Sequence, residues 1–395
     1  MPYPYSFIKI KCKKTMKLLL ADNGLHLRFA PLTLTRPVGN LRIGILTNDE
    51  RWEELCPEAE IFFETEDYLQ TKFLGTNTYT WRINAAVIPS QELVAIAYQL
   101  SEGDVLMYGE TWILEVGKNP TNKINYVGEP LVILENRWDI FQRNGEVLLA
   151  DFNFLTEERT SCEISKTNTI IGDINQLFVE EGVKIEGCIL NTSTGPIYLG
   201  ENSEVMEGSI IRGPFALGEE ACVKLATKIY GPTTIGPHCR VGGEVNNVVF
   251  QAYSNKGHDG FLGNAVLGEW CNLGADTNSS NLKNNYSTVK AYSYETEKME
   301  NTDITFMGLI MGDHSKSGIN TMFNTATVVG VSANIYGAGF PDKNVKSFTW
   351  GGAEGVVPFD LEKAIQVAEA MMERRHVTFT EGDRSIFEYL KASKF

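Results

Sequence analysis

The sequence predicts two structural classes in one chain: an α/β domain, then a parallel β-solenoid closed by a short helical tail. Two observations carry this. Up to about residue 165, short apolar runs alternate with stretches of helical periodicity, which argues for an α/β domain with a largely parallel sheet. Beyond residue 170 glycine becomes frequent and aliphatic residues return at every sixth position. A period of six fits neither a helix nor a hairpin; it fits a coil in which each hexad is a short strand plus a turn.

Taken in order, residues 1–15 read as an upstream extension or a disordered leader. Lys9, Lys11, Lys13, Lys14 and Lys17 surround or precede only the short run Leu18-Leu19-Leu20, whereas a signal peptide needs a longer apolar core. Met16 opens a strand, and residues 16–165 form the α/β domain. Within it Ala86-Val87-Ile88, Val105-Leu106-Met107-Tyr108 and Leu131-Val132-Ile133-Leu134 read as buried strands, and Gln91 to Leu100 as a helix.

Residues 166–358 form the solenoid. Leu199, Val205, Ile211, Leu217, Val223, Ile229, Ile235 and Val241 keep one six-residue phase. If such residues fill roughly a quarter of positions, chance gives this on the order of once in 10⁵ frames. The phase returns at Phe261, Leu267 and Leu273, and again at Met311, Ser317, Phe323, Val329 and Ile335. The aliphatic residue points into a narrow interior. A small residue four places on, such as Ser203, Ser209, Thr227 or Cys239, fills the corner. Residues 247–260 and 279–306 break the period and read as loops leaving the solenoid, where function tends to sit. In residues 359–395, Asp360 caps a helix through Met372, with Arg374 and Arg375 at its C-terminal dipole, and Asp383 caps a second helix.

Composition excludes several classes. The net charge of -15 argues against general binding to nucleic acid or anionic membrane, since either needs a basic face. No apolar stretch reaches the ~18 residues of a membrane span. The seven cysteines are scattered without a C-x-x-C pair, which reads as reduced thiols in a cytoplasmic protein.

The interrupting segments narrow the class further. The run Gly257-His258-Asp259-Gly260-Phe261-Leu262-Gly263-Asn264-Ala265 is followed by Asn272-Leu273-Gly274-Ala275-Asp276-Thr277. It resembles the acetyltransferase half of the bifunctional N-acetylglucosamine-1-phosphate uridyltransferase/glucosamine-1-phosphate N-acetyltransferase family, with its Gly-His-Leu-Thr-Tyr-Leu-Gly-Asp-Ala motif. From Met16 to about Phe340 the resemblance implies an α/β nucleotidyltransferase-like (Rossmann-like) domain, then a left-handed parallel β-helix of hexapeptide repeats, assembled as a homotrimer. The opening Ala21-Asp22-Asn23-Gly24 through Arg28 to Thr35-Arg36-Pro37 is similar to that of sugar nucleotidyltransferases. There a glycine-rich loop and cations hold a triphosphate. The resemblance assigns nucleotide contacts to Asn23, Gly24, Arg28 and Arg36. Glu110 stands where that family keeps a metal-binding Asp, with Mg²⁺ as the ion if the domain is active. The chain departs from the pattern: one glycine remains in the loop and Val38 replaces the expected Lys. Trp138 to Phe141, together with the Leu-Thr-Arg-Pro opening, is similar to a divergent branch of the family.

For the solenoid the resemblance implies N-acetylation of an amino-sugar phosphate by acetyl-CoA. An imidazole titrates near working pH, which suits removal of the amine proton. His258 is therefore the expected general base, with Asn281 orienting the amine. Asn272 and Phe261 are expected at the sugar; Phe261 replaces the family's Tyr and removes a hydroxyl. Lys256, Arg240, Lys224 and Lys290 are the candidate cations for the phosphate. Ala275, Asp313, His314 and Ser315 are the expected acyl-CoA contacts. Two other readings stay open: a sugar-1-phosphate nucleotidyltransferase whose β-helix only oligomerises, and a non-catalytic subunit that senses nucleotide sugars.

Overall fold

The computed structural model describes residues 16–393 and 395, so the reading of residues 1–15 lies outside the described residues. The N-terminal sheet contains β1 (Met16–Ala21), β2 (Ala59–Glu64), β3 (Trp81–Asn84), β4 (Asp104–Tyr108), β5 (Thr111–Val116) and β6 (Asn122–Asn125), in the order β2-β1-β3-β5-β4-β6. The pairs β1–β2, β1–β3 and β4–β6 are parallel, while β5 runs antiparallel to both β3 and β4. The sheet is thus mixed rather than largely parallel. The cause is a tight hairpin after Tyr108, where Gly109 takes φ +59 and lets the chain return at once.

Of the three expected inner strands, only Val105–Tyr108 forms one. Ala86–Ile88 and Leu131–Leu134 are joined by a single bridge, Val87 to Ile133. They exchange two backbone bonds, Ile88 donating to Val132 and Leu134 to Ala86, both at 2.9 Å. Side chains serve other groups: Asn48 donates to the carbonyls of Ala85 and Val87 at 2.8 and 2.9 Å, and Asn84 accepts from the Ala86 amide. The helix from Gln91 ends at Ala97, short of Leu100.

The second unit is the expected parallel β-helix. Three hexads make one coil, so residues of one phase fall into separate vertical columns. One inner column is Leu199, Leu217, Ile235, Phe250, Leu267, Met311, Val329 and Val345, each in register with the next. A second is Ile185, Val205, Val223, Val241 and Lys256, and in the later coils Leu273, Ser317 and Ile335. Burial of these aliphatic stacks drives the coil to close. Two details differ from the expectation. At the restart of the phase Leu262, not Phe261, enters the interior, aligned with Ile229 and Val245. Residues 247–260 stay within a coil, because Val248–Phe250 and Asn255–Lys256 pair with the coils on either side. Residues 279–306 do leave it, and carry an antiparallel hairpin of Lys290–Ser293 and Lys298–Asn301.

One corner of the coil carries residues in the left-handed region: His238, Tyr253, Trp270 and His314, with φ between 55 and 59. Their rings form a ladder, with centroid spacings of 4.7, 4.2 and 6.1 Å and near-parallel planes. Stacking helps hold four side chains in a conformation that L residues avoid.

The tail forms helices Leu361–Glu373 and Glu381–Ala392. Asp360 caps the first as expected. The second is capped by Thr380; Asp383 sits inside the helix and completes a capping box by accepting from the Thr380 amide.

The N-terminal domain is fastened to the β-helix by buried polar contacts. Arg36 reaches Glu269 at 2.7 Å and Asp313 at 2.6 Å, and Thr35 donates to the same Asp313 carboxylate. Arg42 bonds Gln251 through backbone and side chain, and Asn144 bonds Thr234. Both carboxylates hold the Arg36 guanidinium charged against its burial. Replacing Arg36 with Ala leaves Asp313 buried without its partner. This variant is expected to lose about 3–5 kcal/mol of stability, read as a lower midpoint in urea unfolding.

Candidate functional site

A different corner, open to solvent, follows the inner column that runs from Ile185 to Ile335. Successive coils place there residues 206–209, 224–227, 242–243, 257–260, 274–277 and 318–321. His258 stands on it, exposed to solvent. The turn that presents His258 needs glycine at its end: Gly260 has φ +120, and a Cβ there would lie 2.3 Å from the Thr277 carbonyl oxygen. Asp259 accepts from the Asp276 amide at 2.9 Å, tying the His258 turn to the next coil.

Several expected residues gather around this corner. Ala275 occupies the next turn beside His258. Lys224 lies two coils earlier, packed against Gly242. Asn272 and Arg240 are on the outward face that leads into the corner, aligned through Asn255. Phe261 begins the strand that leaves it, its amide bound by Asn278 at 2.8 Å. Asn281 lies farther along that face and donates to Asn264 at 2.7 Å. Only Gly263 leaves room there, since a Cβ would sit 2.7 Å from both the Asn281 amide nitrogen and the Phe261 ring.

Other expected residues are elsewhere. Lys256 points into the coil and is 1% exposed, in a column of aliphatic residues. Its ammonium donates to the carbonyls of Gly242 and His258, so it does not reach solvent for a phosphate. Lys290 is on the excursion hairpin. Asp313, His314 and Ser315 occupy the opposite, covered corner. Asp313 is engaged by Arg36 and Thr35, Ser315 bonds the Gly330 carbonyl, and His314 is packed edge-on against Phe387 of the tail. The path of the coil therefore separates these three residues from Ala275, although all four lie in similar hexads.

The candidate nucleotide residues behave differently from one another. Asn23 and Gly24, with φ of 52 and 72, turn the chain at the carboxyl end of β1. That strand lies between β2 and β3, a topological switch point where open α/β sheets take ligands. Nothing lies within 4 Å of a Cβ built on Gly24. Asn23 accepts from the Trp112 indole at 3.0 Å. Arg28 is met by Glu295 of the excursion hairpin at 3.1 Å, both half-exposed. Arg36 is the interdomain clamp. Glu110 is exposed on the β4–β5 turn. Asp22 is buried, accepting from the Val38 amide and the Thr65 hydroxyl. Among the described residues no three His, Cys, Asp or Glu side chains are grouped to hold a metal ion. The carboxylates offered at this end of the domain are buried Asp22 and exposed Glu110; a Mg²⁺ ion is usually held by one or two carboxylates together with substrate phosphates.

Two residues near the site were not expected there: Asn278, and Arg375, which the sequence placed only at a helix dipole. Asn278 fixes the start of the Phe261 strand; its position, four residues after Gly274, looks like any polar turn. Arg375 reaches Asn255 at 3.4 Å, and burial together with the like charge of Arg240 lowers its pKa. That contact spans the chain from solenoid to tail, and no local pattern announces it.

Residues 18–160 match the family described as sugar nucleotidyl transferase. A 93-residue stretch is 30% identical to the bifunctional protein GlmU of Methanocaldococcus jannaschii, covering 24% of this chain and 22% of that protein. Another of 114 residues is 29% identical to the bifunctional protein GlmU of Trichodesmium erythraeum, covering 28% and 20%. The matched stretch spans about a fifth of these curated relatives. Among solved structures, a UDP-N-acetylglucosamine acyltransferase from Campylobacter jejuni is similar over 59% of this chain and 97% of its own, at 12% identity and a TM-score of 0.29. The corresponding Arabidopsis enzyme gives 12% identity and 0.27 over 55% and 78%. Among the described residues no helix is long and apolar enough to cross a membrane.

His314 gives this region a pH signature. Burial, with Lys316 and Lys72 nearby, holds its pKa well below 6.5 against the pull of Glu269 and Asp383. The unfolded chain therefore takes up a proton below about pH 6.5 that the folded chain refuses, so stability falls as pH drops through that range. His314→Phe is expected to flatten the fall in melting temperature between pH 7.5 and 5.5.

Proposed function

We propose that this chain, a relative of the bifunctional GlmU proteins with a sugar nucleotidyl transferase segment at its N-terminus, transfers an acetyl group from acetyl-CoA to the amine of an amino-sugar phosphate of the glucosamine-1-phosphate type. The reaction belongs to nucleotide-sugar synthesis in the cytoplasm, where free thiols such as Cys162 persist. The observation that carries the reading is the exposed imidazole of His258 on a glycine-built turn, with Ala275, Asn272, Arg240 and Phe261 around it.

In this reading the sugar amine attacks the thioester carbonyl carbon while neutral His258 takes its proton. The new C–N bond forms, the C–S bond breaks, and the thiol leaves with a proton. A backbone N–H of the Ala275 turn aimed at the carbonyl oxygen would steady the developing charge, a contribution of about 3–4 kcal/mol. Arg240 supplies positive charge for the phosphate. Arg375 joins it, because two guanidiniums set side by side favour an anion between them. Asn272 and Asn281 offer amides to the sugar hydroxyls and the amine. A homotrimer fits the outward corner, where Leu225 and Ile319, two coils before and two coils after His258, are 63% and 73% exposed.

The N-terminal domain is read as a nucleotide-sugar module of the same family. Its open Asn23-Gly24 turn at the switch point supports a bound nucleotide. Arg28 under Glu295 and Arg36 in the clamp argue that turnover there is secondary.

The test is thiol release from acetyl-CoA with glucosamine-1-phosphate as acceptor. His258→Ala is expected to lower kcat by about 10²-fold or more with the fold intact by circular dichroism; full activity in that variant would remove the reading. Arg375→Ala is expected to raise KM for the sugar phosphate severalfold and leave kcat within twofold.

A further inference from the structure

In most coils the exposed corner is closed by a hydroxyl. Ser209 and Thr227 both donate to the Lys224 carbonyl, at 2.9 and 2.6 Å. Thr277 and Thr321 do the same for Gly318, at 3.4 and 2.9 Å. Two consecutive coils lack this device. The corner after Val241 is only Gly242-Gly243, two residues where its neighbours have four, and it contains no Ser or Thr. The His258 corner ends in Gly260, where the others have Ser209, Thr227 and Thr277.

Lys256 lies between these two corners. It occupies an inward position held by Val241 in the coil before it and by Leu273 in the coil after it. Its ammonium donates to the Gly242 carbonyl at 3.0 Å and to the His258 carbonyl at 2.8 Å. The space it uses is kept by glycine, since a Cβ on Gly243 would come within 2.9 Å of the ammonium. A buried ammonium is costly in a narrow apolar coil, and Val or Leu would fill the column more cheaply. Burial pulls its pKa down to about 8, against the opposing carboxylates of Asp259 and Asp276.

We propose that Lys256 is a positioning residue: its ammonium replaces the missing hydroxyls and fixes the backbone of the His258 turn, so that the imidazole is held in one place. The proposal rests on the assignment of His258 as the general base, and it removes Lys256 from the set of phosphate-binding cations.

Lys256→Met and Lys256→Gln in the full chain test it, with Thr321→Val as the control that loses a corner bond two coils away. In Lys256→Met, amide hydrogen exchange over residues 257–260 is expected to quicken about tenfold or more, while Thr321→Val leaves that segment unchanged. With acetyl-CoA and glucosamine-1-phosphate, kcat is expected to fall about tenfold or more with KM for the sugar phosphate within twofold. Lys256→Gln, which keeps a donor, is expected to fall between Met and wild type, and it carries the test should the Met variant not fold. Adding Lys256→Met to His258→Ala is expected to cost nothing further. Unchanged exchange at 257–260 would overturn the positioning role by itself. A raised KM with intact kcat, or an added loss on top of His258→Ala, would overturn it in favour of direct substrate contact. Full activity in His258→Ala would overturn the reading on which the kinetic arm stands and leave the exchange result to judge the tether.

Discussion

Everything in the second half of this chain follows from one constraint: each strand must pair in register with the strand of the same phase a coil below. Parallel pairing turns a repeat in sequence into a column in space. Leu199, Leu217 and Ile235 meet because each is paired to the next, and so do Val205, Val223 and Val241. The same constraint sorts function. Residues a few places apart in one hexad can end on different corners. His258 faces solvent, whereas His314 faces the tail.

A rigid scaffold of this kind is informative in sequence and also misleading. The period of six was legible because an aliphatic residue in a narrow interior has few substitutes. The glycine turn at His258 was legible because Gly260 sits where a Cβ would meet the Thr277 carbonyl. The corner on which Asp313, His314 and Ser315 fall was not legible, since period alone does not say which of three corners a hexad serves. Lys256 was misleading for a related reason. A lysine beside a glycine turn looks solvated, and only the shortened Gly242-Gly243 corner one coil earlier shows why it points inward. In the N-terminal domain, Ala86–Ile88 and Leu131–Leu134 had the apolar content of strands, yet they pair over one bridge only, and Asn48 and Asn84 bond backbone groups beside it. Side-chain bonds of this kind leave no periodic trace.

The joint between the two halves changes how the N-terminal motif is understood. Arg36 belongs to a segment whose family kinship suggests phosphate, but its guanidinium meets two carboxylates of the β-helix. Thr35 strengthens the same contact, and Arg42 and Asn144 extend it along one face. The Arg36 guanidinium is part of a seam, and Arg28 is met in turn by Glu295 of the hairpin. Charged residues of the segment that matches the sugar nucleotidyl transferase family thus hold it against the β-helix.

The ladder of His238, Tyr253, Trp270 and His314 has an optical consequence. Trp270 lies at the centre of the stack, 5% exposed, with a phenol ring on one side and an imidazole on the other. Its far end touches the tail through His314 and Phe387. Emission from that indole is thus coupled to the seat of the C-terminal helices, and lifting the tail by even a few ångströms would change the colour and lifetime of the fluorescence. The molecule carries its own gauge of whether its end is closed.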